Sequence, residues 1–88
     1  MRLRGEFVVR QVMDDVVAVP VGNTALTLNG MILLNSVSRV IWEQLEKGTD
    51  PETIVKALTD AFEVSEEEAR ADALEFLDKL RALQLLEE

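Results

Sequence analysis

The chain contains no histidine and no cysteine among its 88 residues. The first absence removes the commonest general base and the commonest metal ligand together. The second removes disulfides, thiolate metal sites and a nucleophilic thiol. Pairs of Asp and Glu can still do acid–base work, but none stands in a spacing that suggests a cleft, and solvated helix faces account for the carboxylates. An enzyme acting alone is therefore not expected, and no catalytic residue, metal site or cofactor is assigned. Cations are scarce as well, 9 against 17 acids, for a formal net charge of −8. Nucleic-acid binders draw much of their affinity from Lys and Arg on phosphate, and anionic membranes attract the same side chains. Both partners are disfavoured, which leaves protein or peptide. No apolar run approaches the ~20 residues needed to span a bilayer. Met1-Arg2-Leu3-Arg4-Gly5-Glu6 lacks the apolar core of a signal peptide, so a cytoplasmic protein is the simplest reading.

What is present is a 48% hydrophobic chain long enough for one domain over residues 1–88. A domain of this size buries only about 60% of the surface its unfolded chain exposes, so its stability is expected to be marginal. The N-terminal third reads as strands. Phe7-Val8-Val9-Arg10-Gln11-Val12-Met13 is rich in β-branched residues, Asp14-Asp15 supplies a turn, and Val16-Val17-Ala18-Val19-Pro20-Val21 is the hairpin partner. Pro20 cannot donate to a ladder and marks the end or the edge of its strand. After a turn at Gly22-Asn23, Ala25–Leu28 and Met31–Leu34 flank Asn29-Gly30, the strongest short hairpin signal. The rival to this second hairpin is one long strand with a bulge at Gly30.

From Asn35 the period becomes helical. Asn35 or Ser36 caps a first helix whose Val37, Val40, Ile41 and Leu45 recur at helical spacing beside Trp42, itself a core residue; Gly48 ends it. Thr49-Asp50-Pro51-Glu52 starts a second helix with Ile54, Val55, Leu58, Ala61 and Phe62 as its buried face. Ser65 and Glu68 form a capping box for a third, running to about Leu83. The basic Met1–Arg4 segment reads as a frayed end. The expected fold is α+β: an antiparallel sheet of three to four short strands, then three helices.

On the third helix Ala69, Ala73, Phe76, Leu80 and Leu83 share the core face, with Leu77 at its shoulder and Leu74 further round. Arg70, Leu74, Leu77 and Arg81 fall at i, i+4, i+7 and i+11, two apolar residues between two cations. One reading has Leu74 under a strand and the arginines paired with Glu66, Glu67 or Asp78. The other is a docking face, with an apolar anchor beside Leu74 and Leu77 and acidic ligand residues on the arginines. Met31–Leu34 carries no charge or proline to protect a sheet edge. Such an edge can take an added peptide strand, or pair with a second copy as a homodimer.

Gly30-Met31-Ile32-Leu33-Leu34-Asn35, followed by Ile41-Trp42-Glu43-Gln44-Leu45, resembles the strand and Leu-Asn junction of the PqqD-like family and its Ile-Trp helix. Thr49 to Phe62 is similar to that family's second helix. Asp72, Phe76, Leu77 and Leu80 match its Asp-x-x-x-Phe-Leu-x-x-Leu pattern, and Leu85-Leu86 its apolar tail. Val37 stands where the family has Thr, followed by the small Ser38. The front is longer than in the shortest members, with room for a fourth short strand.

The resemblance implies a winged helix-turn-helix-like domain, a RiPP recognition element. Such domains bind the leader of a ribosomally made precursor peptide as an added strand, in the groove between the third strand and the third helix. They present it to a modifying enzyme, often a radical-SAM protein. By position, the peptide-binding residues implied are Met31, Ile32, Leu33 and Leu34 facing Arg70, Ala73, Leu74, Leu77 and Arg81. Two other functions compete with leader binding. A winged-helix DNA-binding regulator fits the helix order, but Glu52, Asp60, Glu63, Glu66, Glu67 and Glu68 would face phosphate badly. A structural homodimer or subunit is the other.

Overall fold

The structure, a computed structural model, describes residues 1–88. In chain order its elements are β1 (Arg2–Leu3), β2 (Phe7–Val12), β3 (Asp15–Pro20), α1 (Thr24–Thr27), β4 (Ile32–Leu34), α2 (Ser36–Lys47), α3 (Pro51–Ala61), α4 (Glu66–Ala82) and β5 (Leu86–Glu87). They fall into two units. Gly5–Ser36 forms a strand unit, and Met1–Arg4 with Val37–Glu88 forms a helical unit.

The β-branched runs of the strand unit pair antiparallel, and the sheet order is β2-β3-β4. β3 is central, and its neighbours Val17 and Ala18, which point to opposite faces, are both buried. A central strand covered on both faces reads as a continuous apolar run rather than an alternating one. Pro20 closes β3 opposite Phe7, as a residue without an N–H must.

Two strand expectations are corrected. The turn is Met13-Asp14 rather than Asp14-Asp15, because Val12 pairs with Asp15. The number of residues that pair sets the loop, and Met13 takes a positive φ of 57° to close it. Ala25–Leu28 is not a strand. Thr24–Thr27 makes a single helical turn, closed by the Leu28 N–H on the Thr24 carbonyl at 3.0 Å. Both sides of β3 are already paired, so the segment has no central edge to join. Its buried Thr24 instead accepts the Glu6 N–H on Oγ1 at 2.7 Å. Gly5 permits this approach, since a Cβ there would lie 2.8 Å from that hydroxyl oxygen. Asn29-Gly30 forms no type I′ turn, as only Gly30 has positive φ.

In the helical unit each start is local. Asp50 Oδ1 accepts the Thr53 N–H at 2.8 Å with Pro51 at the first helical position, and Ser65 Oγ accepts the Glu68 N–H at 3.1 Å. α2 begins directly after Asn35 and is followed by Gly48 at φ 86°. The largest fully buried side chains of the protein, Trp42, Ile41, Leu45, Ile54, Leu58, Leu77 and Leu80, all lie on these helices. α4 ends at Ala82 in a Schellman motif: Leu85 N–H bonds the Leu80 carbonyl and Gln84 N–H that of Arg81, both at 2.9 Å.

Three further expectations change here. Ala61 is exposed and Phe62 half-buried, because α3 stops at Ala61 and the chain turns extended. Leu83 is 41% exposed, having left the helical path at the C-cap. Met1–Arg4 is not frayed. β1 pairs with β5 in a separate ladder, Arg2 opposite Glu87 and Leu3 opposite Leu86. The Met1 ammonium donates to the Thr49 carbonyl at 2.6 Å, and the Thr49 N–H returns to the Met1 carbonyl at 2.8 Å. No helix is long and apolar enough to cross a membrane.

Candidate functional site

The residues singled out in the sequence divide between the two units. In the strand unit, β4 is a terminal strand: Ile32, Leu33 and Leu34 pair with Ala18, Val17 and Val16 of β3, and no strand pairs with the other side. The pleat sorts its side chains. Ile32 and Leu34 are buried, while Leu33 and the preceding Met31 are each 58% exposed. No charged residue occurs between Asp15 and Arg39. The outer edge of β4 therefore offers unpaired backbone groups with exposed apolar side chains and none of the charges that usually block strand addition.

In the helical unit, α4 carries the second set. Leu74 is 46% exposed, as its place off the core stripe implies, but Leu77 is completely buried and Ala73 nearly so. Leu77 is thus a core residue rather than half of a surface pair. Its 100°-per-residue position sits close enough to Ala73 and Leu80 for the helix packing to cover it. Ile32, Leu34, Ala73 and Leu77 cannot offer side chains to a ligand, although strand addition to β4 needs only backbone there.

The arginines are engaged. Arg70 makes a bidentate contact with Glu52 of α3, Nη1 to Oε1 at 2.6 Å and Nη2 to Oε2 at 3.1 Å, and Nη2 also reaches Glu66 at 3.2 Å. Arg81 holds Glu88 through Nε and Nη2 at 3.1 and 2.9 Å, and Asp78 through Nη1 at 2.9 Å. These hydrogen bonds raise the pKa of both guanidiniums and hold the Glu52 and Glu88 carboxyls below the usual carboxylate range. Pairing with Glu66 and Asp78 follows from helical spacing. Glu52, 18 residues away from Arg70, and Glu88 gave no local signal. Arg70, Leu74, Ser65, Glu66, Glu67 and Ala71 line an open hollow of about 710 Å³ on the N-terminal half of α4. Ser65, Glu66, Glu67 and Ala71 were not among the expected site residues. Only the stripe Glu67–Arg70–Leu74, at i, i+3 and i+7, could have indicated them. No group of three or more His, Cys, Asp or Glu side chains is placed to hold a metal ion.

The family model for coenzyme PQQ synthesis protein D (PqqD) matches residues 10–86. The chain belongs to the PqqD family. Among solved structures it is similar to TbiB1 in complex with the TbiA(beta) leader peptide, with 29% sequence identity, a TM-score of 0.74, and coverage of 99% of this chain and 95% of that one. No curated protein matches the chain. The fold is the winged-helix-like α+β fold of the PqqD family, with an antiparallel sheet and helices in the expected order. Beyond the elements expected from the sequence, the chain has the single-turn α1 and the β1–β5 ladder.

Proposed function

We propose that the chain is a non-catalytic module that holds the leader region of a ribosomally synthesised precursor peptide for a modifying enzyme. The leader adds as a strand to the outer edge of β4, with the exposed Met31 and Leu33 reading alternate side chains. The exposed part of the α4 stripe, from Arg70 through Leu74 to Arg81, supplies a second contact surface. The observation that carries this reading is the unpaired, uncharged outer side of β4, in a PqqD-family chain similar to a protein solved with a leader peptide. The family match runs through both units, which supports treating residues 1–88 as one peptide-binding domain. Lack of catalysis is supported by the chemistry available: neither His nor Cys occurs in the sequence, and Glu52, Glu66, Asp78 and Glu88 are tied to arginines. The modifying enzyme belongs to the radical-SAM class, and the pair works where ribosomal products first appear, in the cytoplasm.

The test is calorimetric titration of the full chain with the TbiA(beta) leader peptide and with the leader halves of short precursors encoded beside its gene. Binding in the micromolar range or better is expected for at least one leader half, and none for the matching core half. Leu33→Asp, at an exposed position, should weaken that binding about tenfold or more while leaving the circular dichroism unchanged. Absence of binding to every leader, or unchanged affinity in Leu33→Asp, would falsify the reading. Size-exclusion with and without peptide separates it from a homodimer paired through the same edge, which peptide would dissociate.

A further inference from the structure

The ion pairs of Arg70 change what the hollow on α4 selects. The sequence pattern, two leucines between two cations, suggests a surface for acidic ligand residues. In the structure Arg70 is already shared between Glu52 and Glu66. Of the charged residues lining the hollow, Glu66, Glu67 and Arg70 leave one net negative charge, and Glu52, which holds Arg70 from α3, adds a second beside it. The helix N-terminus contributes only about +0.5 of an elementary charge, which does not reverse the sign. The Glu67 side chain makes no ion pair or hydrogen bond, so one carboxylate at the rim is free. An acidic residue entering here would have to displace Glu52 or Glu66 from Arg70 and then face the released carboxylate. A basic residue meets Glu67 with nothing to displace, and the protein's net charge of −8 favours its approach.

The apolar half of the hollow is the exposed side of Leu74 with the Ala71 methyl. Glu67, Ala71 and Leu74 lie on one helix face at i, i+4 and i+7, so the charged and apolar ends are about 10 Å apart along α4. In an extended peptide only every second side chain points the same way, at about 7 Å per pair of residues. A lysine or arginine stem covers the remaining distance.

We propose that the hollow is a specificity subsite for a peptide segment of the form apolar–x–cation, with the apolar side chain against Leu74 and Ala71 and the Lys or Arg on Glu67. The subsite deepens the leader-binding reading and rests on it for the identity of the peptide, but it lies wholly within the helical unit and can be probed by itself.

The experiment uses two probes, acetyl-Leu-Ser-Lys-amide and acetyl-Leu-Ser-Glu-amide, titrated into the full-length ¹⁵N-labelled chain and followed by amide chemical shifts. The lysine probe should shift amides within Ser65–Leu74 and bind about threefold to fivefold more tightly than the glutamate probe, the scale of one exposed ion pair. The preference should shrink in about 1 M NaCl, where the screening length falls to roughly 3 Å. Glu67→Gln should abolish it with the fold intact by circular dichroism and only a small fall in melting temperature, from loss of one first-turn acid at the helix N-terminus. Leu74→Ala should weaken both probes alike. Shifts absent from Ser65–Leu74, a glutamate probe that binds as well or better, or a preference that survives Glu67→Gln each overturns the subsite. A failed subsite with leader still bound to β4 leaves the peptide-binding reading standing. A working subsite in a chain that binds no leader sinks that reading and keeps the subsite.

Discussion

Each helix whose start is settled in the helical unit begins at a side chain that closes a hydrogen bond within three residues, Asp50 to Thr53 and Ser65 to Glu68. In the strand unit nothing so local decides: the Met13-Asp14 turn is set by which residues of β2 and β3 pair, and Thr24–Thr27 turns helical because β3 is paired on both sides. The two units also divide the work differently. The largest fully buried side chains are all helical, whereas the strand unit exposes Val8, Val9, Val12, Met13, Leu26, Met31 and Leu33. The helical unit is built around its interior, and the strand unit spends apolar residues on its surface. A molecule arranged in this way can lose surface side chains without unfolding, which suits a partner-binding role.

The contrast is sharpest between Leu74 and Leu77, one turn apart on α4. Leu77 is 0% exposed and Leu74 46%. Leu77→Ala should therefore destabilise the protein by about 3 kcal/mol, through lost burial and the cavity left behind. In so small a domain that is a large share of the total. Leu74→Ala should cost less than about 1 kcal/mol, while reducing peptide affinity. Urea denaturation of both variants checks this, and equal losses would remove the distinction between interior and surface on this helix.

Capping gives the next largest effect. Ser65→Ala leaves the Glu68 N–H without its acceptor and should cost about 1 kcal/mol in the same assay. Acid acts on the same feature of the helical unit. The Asp50 carboxyl is held below its usual range, first by the Thr53 N–H, and those of Glu52 and Glu88 by Arg70 and Arg81. A depressed folded-state pKa means that the stabilisation is complete above the usual carboxylate range and drains away as the pH falls through it and below. The melting temperature should thus decline from about pH 5 downward. Asp50→Asn should lower it near neutrality and flatten the decline. All these groups are exposed, so added salt should shrink the ion-pair part of the effect. An acid decline as steep in Asp50→Asn as in the unaltered chain would show that this cap takes no part.

How much was legible follows the same division. Helix starts, the α4 core stripe and the Pro20 strand end rest on contacts between residues a few positions apart, so single-sequence periodicity reaches them. The turn at Met13 and the helical Thr24–Thr27 depend on pairing that no local window contains. The β1–β5 ladder joins opposite ends of the chain, and a two-residue strand such as Arg2–Leu3 has no pattern of its own. At the site, the exposed Leu33 and Leu74 could be read from alternation and helical angle. The burial of Leu77 and the Glu52 clamp on Arg70 could not, because each requires knowing what a neighbouring helix presents. Arg70 shows that gap: the cation was visible in the sequence, but its Glu52 partner on α3 was not.

The smallest effect compares the two units at one equivalent defect. Each holds one non-glycine residue at positive φ: Met13 at 57° in the β2–β3 turn and Gln84 at 60° after α4. An L-residue pays roughly 1–2 kcal/mol in that region because Cβ crowds the neighbouring carbonyl oxygen. Glycine removes that cost but returns about 0.5–1 kcal/mol through the greater freedom of the unfolded chain. Both side chains are exposed, so truncation sacrifices little packing. Met13→Gly and Gln84→Gly should each raise stability by about 0.5 kcal/mol, equivalent to roughly 2–4 °C in a domain of this length. Met13→Ala and Gln84→Ala keep Cβ and should bring no such gain. The Schellman hydrogen bonds at Gln84 use backbone alone and survive the change, whereas the Met13 turn is held by β-pairing and one exposed hydrogen bond, from the Gln11 amide to the Met13 carbonyl at 3.3 Å. Gln84→Gly is therefore the more dependable gain of the two. A gain from alanine equal to that from glycine at either position would locate the benefit in the removed side chain and not in the backbone angle.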